Sequence, residues 1–213
     1  MIIVLYGAPG CGKGTQASAI LNRYGRDVCH LSVGDVFRKL QNEDSELASK
    51  IRSYMGKGAL VPPEIVIDVV DNFMNDNHDK YKYFLFDGFP RSEEQAEAFL
   101  KIAKKFSEDY IVLTIDVPDE PIVKRLTSRK SCESCGAILG GDAKVCPKCG
   151  STSFKKRDDD TKDVIENRLK LYHDMYDSLV KVFNENKVFI IDGNCDINIV
   201  SDSIFKLLET KVF

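Results

Sequence analysis

The sequence predicts an α/β fold: a five-stranded, doubly wound parallel sheet with helices on both faces. Two observations carry that expectation. Five short runs rich in β-branched and aromatic residues, Ile2 to Tyr6, Val28 to Ser32, Tyr83 to Asp87, Tyr110 to Asp116 and Val188 to Asp192, are separated by amphipathic segments of helical length. Strands that alternate with helices in this way build parallel sheets covered on both sides. The first run also leads directly into Gly7-Ala8-Pro9-Gly10-Cys11-Gly12-Lys13-Gly14-Thr15 and then a helical segment. That order of strand, glycine-rich turn and helix is what a phosphate-binding loop requires. At 213 residues the chain can bury one sizeable core and carry a small insertion.

The remaining elements follow from local signals. In the loop, backbone N–H groups converge on phosphate oxygens, the helix N-terminus adds partial positive charge, and Lys13 supplies a mobile full charge. Gly14 follows the lysine where Ser or Thr usually contacts Mg²⁺, with Thr15 one place later; this points to small nucleotide kinases and away from GTPases. The Cys11 side chain falls where its identity should matter little. Pro62-Pro63 starts a helix running to about Asn77, and Asp119 with Pro121 reads as a cap followed by an early proline. A long helix begins near Thr161, with Asp160 and Asp163 suited to its N-terminus.

From about Ser131 to Phe154 the chain is rich in Gly, Ser, Lys and Cys and poor in large apolar residues. Such a segment cannot fold on apolar burial alone. It contains four of the seven cysteines as Cys132-x₂-Cys135-x₁₀-Cys146-x₂-Cys149. Paired CxxC knuckles at this spacing point to a closed tetrahedral zinc site that supplies the folding energy. Two disulfides or a redox CxxC pair are the alternatives. Arg125, Arg129 and Lys130 precede this insertion, and Lys155, Lys156 and Arg157 follow it. Cys11, Cys29 and Cys195 are scattered, as suits free thiols in a reducing compartment.

Bulk properties narrow the partners. A net charge of −3, with 43% hydrophobic and 30% charged residues, describes a globular chain with no basic field for nucleic acid or membranes. No apolar run approaches the length of a bilayer span. The N-terminal apolar stretch lacks a basic leader and flows into the loop, so no signal peptide is expected and the cytoplasm is the expected compartment.

Four motifs then make a specific pattern: the loop with Gln16; Ser32-Val33-Gly34-Asp35-Val36-Phe37-Arg38; Gly58 before Leu60-Val61-Pro62; and Asp87-Gly88-Phe89-Pro90-Arg91 with Gln95. In this order they resemble the nucleoside monophosphate kinase family, and within it the adenylate kinase type with a zinc-bearing lid, over essentially the whole chain. The resemblance implies a core of residues 1–32, 83–128 and 158–213, a helical acceptor-binding lobe of 33–82, and a lid of 129–157. It implies reversible, Mg²⁺-dependent phosphoryl transfer, ATP and AMP giving two ADP, by a monomer with nucleotides as its partners. Gly10, Gly12, Lys13, Gly14, Thr15, Arg125 and Arg129 would bind ATP. Val33, Arg38, Leu60, Val61, Gly88, Arg91 and Gln95 would bind AMP, with Gln95 reading the adenine edge. Lys13, Arg91, Arg125, Arg157 and Arg168 would be catalytic, Asp87 would orient water on Mg²⁺, and Asp159-Asp160 would lie near the phosphates and hinge. Cys132, Cys135, Cys146 and Cys149 would hold one structural Zn²⁺.

Physical reasoning supports the arginines independently: two polyphosphates meeting in line need several cations, and a planar guanidinium grips two oxygens at once. The chain departs from the family pattern at Val33, where Thr is common. It departs again at Gly136-Ala137-Ile138-Leu139-Gly140-Gly141, where an aromatic and a histidine usually follow the first knuckle. Both departures predict relaxed base choice. Two other readings remain open: a UMP, CMP or broad-specificity kinase, and a phosphate-loop switch whose zinc ribbon binds nucleic acid. The acidic net charge and the lack of aromatics among the ribbon's basic residues count against the latter.

Overall fold

A computed structural model describes residues 1–212. The strands are β1 (Ile2–Tyr6), β2 (Val28–Ser32), β3 (Tyr83–Asp87), β4 (Tyr110–Asp116) and β8 (Val188–Asp192), in a parallel sheet of order β2-β3-β1-β4-β8. Side chains alternate across it with period two. Ile2, Val4, Tyr6, Phe84, Phe86 and Val112 enter one core; Ile3, Leu5, Leu85, Ile111, Leu113 and Ile115 enter the other. Because both faces are covered, β1 is buried throughout and reads in sequence as an unbroken apolar run.

On the first face lie α4 (Pro63–Asn77) and α5 (Glu93–Lys105), and on the second α1 (Lys13–Tyr24), α6 (Asp119–Ser128) and α8 (Ile197–Lys211). The long α7 (Lys162–Val182) contributes to both, with Ile165 and Leu169 in one core and Leu179 in the other. Between β2 and β3, α2 (Val33–Leu40) and α3 (Glu46–Gly56) precede α4. Ser32 caps α2 by accepting from the Asp35 amide at 3.4 Å, and Ser45 caps α3 by accepting from Ala48 at 3.1 Å.

Between α6 and α7 the chain forms a second sheet of order β6-β5-β7, from β5 (Lys130–Cys132), β6 (Ile138–Leu139) and β7 (Phe154–Lys155), all antiparallel. From residue 131 to 154 only Ser131, Cys132 and Cys146 are buried, consistent with a segment that apolar burial cannot hold.

One local expectation needs correction. Asp119 is not the cap of α6: Pro118, with φ −58°, takes that place, and Asp119 sits in the first turn with its carboxylate 2.9 Å from His173 Nε2. A proline already fixes the entry turn, and a first-turn carboxylate still complements the helix dipole. The start of α7 is as expected: Thr161 flanks it and Asp163 lies in its first turn, while the neighbouring Asp160 carboxylate also bonds Arg129.

Candidate phosphoryl-transfer site

The loop between β1 and α1 crosses the C-terminal edge of the sheet, where ligands sit in doubly wound folds. Gly10 has φ +84°, and a Cβ there would lie 2.7 Å from Leu126 Cγ on α6, so only glycine fits. Lys13 Nζ donates to the carbonyls of Gly7 at 2.7 Å and Ala8 at 2.8 Å, which folds the ammonium across the loop. Gln16 is buried and ties the loop helix to α8: its Nε2 donates to Ile197 O, and its Oε1 accepts from Ser201 at 2.8 Å. Thr15 and Gly14 are exposed at the helix start. Cys11, expected to be indifferent, is buried in the second core, and its Sγ lies 3.6 Å from Lys13 Nζ. The fold of the loop against β4 and α6 buries that side chain, which a local pattern does not reveal.

Asp87 ends β3 opposite Leu5 on β1 and Ser32 on β2. Its Oδ2 would stand 3.8 Å from a Cβ on Gly14, so the carboxylate faces the loop across space that glycine leaves open. An oxygen donor beside a phosphate cradle suits a hard divalent cation reached through water. Two residues before Ser32 on β2, on the same face of the sheet as Asp87, His30 has a buried Nε2 without a partner. Burial lowers its pKa, while Asp87 and Asp35 pull it upward.

Five arginines surround this edge. Arg91 Nε donates to Gly88 O at 2.8 Å. Solvent reaches its side chain, yet protein crowds the guanidinium enough for desolvation to lower its pKa, against the opposing pull of Asp87 and with added repulsion from Arg38. Arg168, from α7, bonds Asp159 at 3.0 Å, and Arg129 grips Asp160 with both Nε and Nη2, the latter at 2.6 Å. Arg38 bonds Asp35 at 2.6 Å. Arg157 Nε donates to Ser131 at 3.3 Å. Desolvation first, then like charge from Arg38 and Arg129, lowers Arg157 to about 10. Desolvation and the repulsion of Arg91 and Arg129, opposed by Asp159, bring Arg168 to about 10. The arginines lie close enough to act on one another electrostatically, while Arg38, Arg129 and Arg168 each keep a carboxylate partner. Arg125 stands apart, exposed near the end of α6 with no salt bridge to another described residue.

The acceptor-side residues divide. Gly88 is buried beside Arg91, and Leu60 is half-buried, whereas Val33 and Val61 are packed into the first core. Gln95 is buried, and its Oε1 accepts the Arg91 backbone N–H at 2.9 Å. That bond fixes the Arg91 turn with one lone pair of the amide oxygen and leaves the second lone pair and the Nε2 hydrogens unassigned.

In the insertion, the two knuckles repeat one geometry. Gly136 N–H bonds Cys132 O at 2.9 Å, and Gly150 N–H bonds Cys146 O at 2.8 Å. The Sγ atoms of Cys132, Cys135, Cys146 and Cys149 all lie within 4.8 Å of one another, with the 132–149 and 135–146 pairs at 3.6 Å. A tetrahedron of thiolates about 2.3 Å from a central Zn²⁺ has edges of about 3.8 Å. The four cysteines can hold a metal ion. Desolvation raises the Cys132 thiol, but the Cys135 and Ser134 amides overcome it and bring it down to about 6.

A family model described as adenylate kinase matches residues 5–188. The chain belongs to the adenylate kinase family. An adenylate kinase of Clostridium perfringens (strain SM101 / Type A) is 40% identical over 217 residues, covering 98% of this chain and 98% of its own. One from Staphylococcus aureus (strain Mu50 / ATCC 700699) is 37% identical over 216 residues, covering 98% and 99%. Membership makes this a phosphotransferase that moves a phosphoryl group between nucleotides. Within that family frame, the sequence reading left three contributors without a role. Asp35 orients Arg38, Gln16 braces the loop helix, and Asn167 on α7 bonds Lys57 O at 2.8 Å. The Ser32-x-x-Asp35 spacing signals the first as a helix start; the other two depend on long-range contacts.

Proposed function

We propose that the protein transfers the γ-phosphoryl group of ATP to AMP, reversibly, giving two ADP. The observation that supports this reading is the cluster of Arg38, Arg91, Arg129, Arg157 and Arg168, joined through Arg91 to Asp87, whose carboxylate faces the Lys13 loop at Gly14. Phosphoryl transfer asks for positioning and charge neutralisation rather than covalent chemistry. In this reading Lys13 leaves the Gly7 and Ala8 carbonyls for the donor β- and γ-phosphates, and Arg129, Arg157 and Arg168 close on them with Arg125. Arg38 and Arg91 hold the acceptor phosphate in line, with Leu60, Val61, Val33, Gly88 and the Gln95 Nε2 around the acceptor nucleoside.

Mg²⁺, bound with ATP and reached through water by Asp87, would add charge neutralisation on the phosphates. Zn²⁺ on the four cysteines would fold residues 129–157 into a lid over a core of 1–32, 83–128 and 158–213, while 33–82 closes over the acceptor. Closure excludes water, so that transfer outcompetes hydrolysis. We place this reaction in the cytoplasm and assign no nucleic-acid or membrane partner; among the described residues no helix is long and apolar enough to cross a membrane. A broader acceptor range is the second reading, favoured by Val33, which brings no hydroxyl.

A coupled assay with ATP and separate AMP, UMP, CMP and GMP acceptors tests the choice. AMP giving the largest kcat/KM supports the proposal. UMP or CMP exceeding AMP replaces it with the pyrimidine reading.

A further inference from the structure

Gly58 belongs to a motif that the reaction itself does not absorb, and its surroundings show what it touches. It closes the C-terminus of α3: the Gly58 amide bonds Met55 O at 3.0 Å, and its φ of +67° lies in the left-handed region. That turn is pressed against the first turns of α7. A Cβ on Gly58 would lie 2.9 Å from Val164 O and 3.0 Å from Arg168 Cγ. Beside it, Asn167 Nδ2 donates to Lys57 O at 2.8 Å. Val164, Asn167 and Arg168 are spaced i, i+3, i+4 and so share one helix face. The end of α3 therefore sits directly on the stem of the arginine whose guanidinium is held by Asp159 and lies in electrostatic reach of Arg91 and Arg129. Two residues further along the same segment, Leu60-Val61 runs to the proposed acceptor site.

We propose that Asn167 and Gly58 are positioning residues that act through Arg168, seating the acceptor lobe on α7 so that acceptor binding and placement of the Arg168 guanidinium occur together. The Asn167–Lys57 bond fixes the α3 terminus along α7, and glycine at 58 lets the backbone approach closely enough to register on the Arg168 stem. A larger residue at 58 would push the two apart. An unlinked α3 terminus would leave Arg168 free to settle against Asp159 alone. The inference rests on the proposed two-nucleotide reaction.

The test is Asn167→Ala in the full-length protein, assayed with ATP, AMP and Mg²⁺, alone and combined with Arg168→Lys. Asn167 is exposed, so the melting temperature should hold. We expect kcat to fall by about three- to tenfold, the span of one neutral hydrogen bond, with the KM for ATP changed less than about twofold. In the Arg168→Lys background the same substitution should cost less than about twofold, because the group it positions is gone. Unchanged kcat in Asn167→Ala, or equal losses in both backgrounds, overturns the inference while leaving the reaction intact. A wild-type protein that makes no ADP from ATP and AMP overturns the reaction instead. Gly58→Ala provides a second arm: it should lower kcat by more than Asn167→Ala, and full turnover in a folded Gly58→Ala protein contradicts the seating.

Discussion

Arg91→Ala separates a structural charge from a working one. The truncation removes one hydrogen bond, Nε to Gly88 O at 2.8 Å, on a side chain that solvent reaches. A bond donated by a charged guanidinium contributes about 1.5–3 kcal/mol; exposure of this side chain brings it to the lower end, and the lost attraction to Asp87 is opposed by relief of desolvation and of repulsion from Arg38. The backbone bond from Arg91 to Gln95 survives the substitution. In a chain of this length about 1 kcal/mol moves the melting temperature by about 2–4 °C, so a drop of only a few degrees is expected. The transition state loses far more. A fixed donor aimed at developing oxyanion charge is worth about 2.7–4 kcal/mol, or about 10²–10³ in kcat. Arg91→Lys, which keeps the charge but loses the planar fork, should fall between. Steady-state assays with ATP and AMP, beside thermal melts of the same preparations, make the comparison. A melting temperature lowered by more than about 10 °C with kcat within about tenfold of wild type would refute the reasoning and make Arg91 structural.

Three further outcomes are expected. Metal analysis should find about one zinc per chain, and Cys146→Ser should loosen residues 129–157 to hydrogen exchange while the parallel sheet stays protected, with transfer reduced and ATP hydrolysis raised; a metal-free protein with four titratable thiols and an ordered insertion contradicts this. GTP, CTP or UTP should replace ATP within about tenfold, or roughly 1.4 kcal/mol, because no ring follows the first knuckle; donor discrimination above about a thousandfold is the opposing result. Burial lowers the His30 pKa from 6.5, so the unfolded chain binds that proton first, and the contribution is complete above about pH 6.5 and lost as pH falls below it. Between pH 7.5 and 5.5 the wild-type melting temperature should therefore fall further than that of His30→Gln, and parallel curves would contradict the assignment.

Strands were legible because their burial is simple. A strand covered on both faces, such as β1, is a continuous apolar run, and its bounds follow from where that run stops. The phosphate loop was legible for a related reason: its backbone geometry demands glycine at fixed offsets. What escaped depends on chain segments far apart. Cys11 is buried by β4 and α6, and no local pattern announces that. Arg129 and Asp160 are 31 residues apart and meet only because the insertion returns to its origin. The turn after Pro90 brings the Arg91 N–H onto the Gln95 oxygen, a contact that the spacing of the motif does not announce. The two-residue strands β6 and β7 are too short to carry a period. The knuckles that hold them were plain, since metal-ligand spacing is a property of the chain itself.

The central claim is that two nucleotide sites face each other across one arginine cluster. If so, ADP alone can fill both, one molecule on the Lys13 loop and one against Arg38 and Arg91. Purified protein given only ADP and Mg²⁺, with products resolved by chromatography, tests this most directly. ATP and AMP should appear in equal amounts with no free phosphate. Release of inorganic phosphate without AMP would contradict the account, leaving one nucleotide site and a hydrolase or switch in place of a transferase.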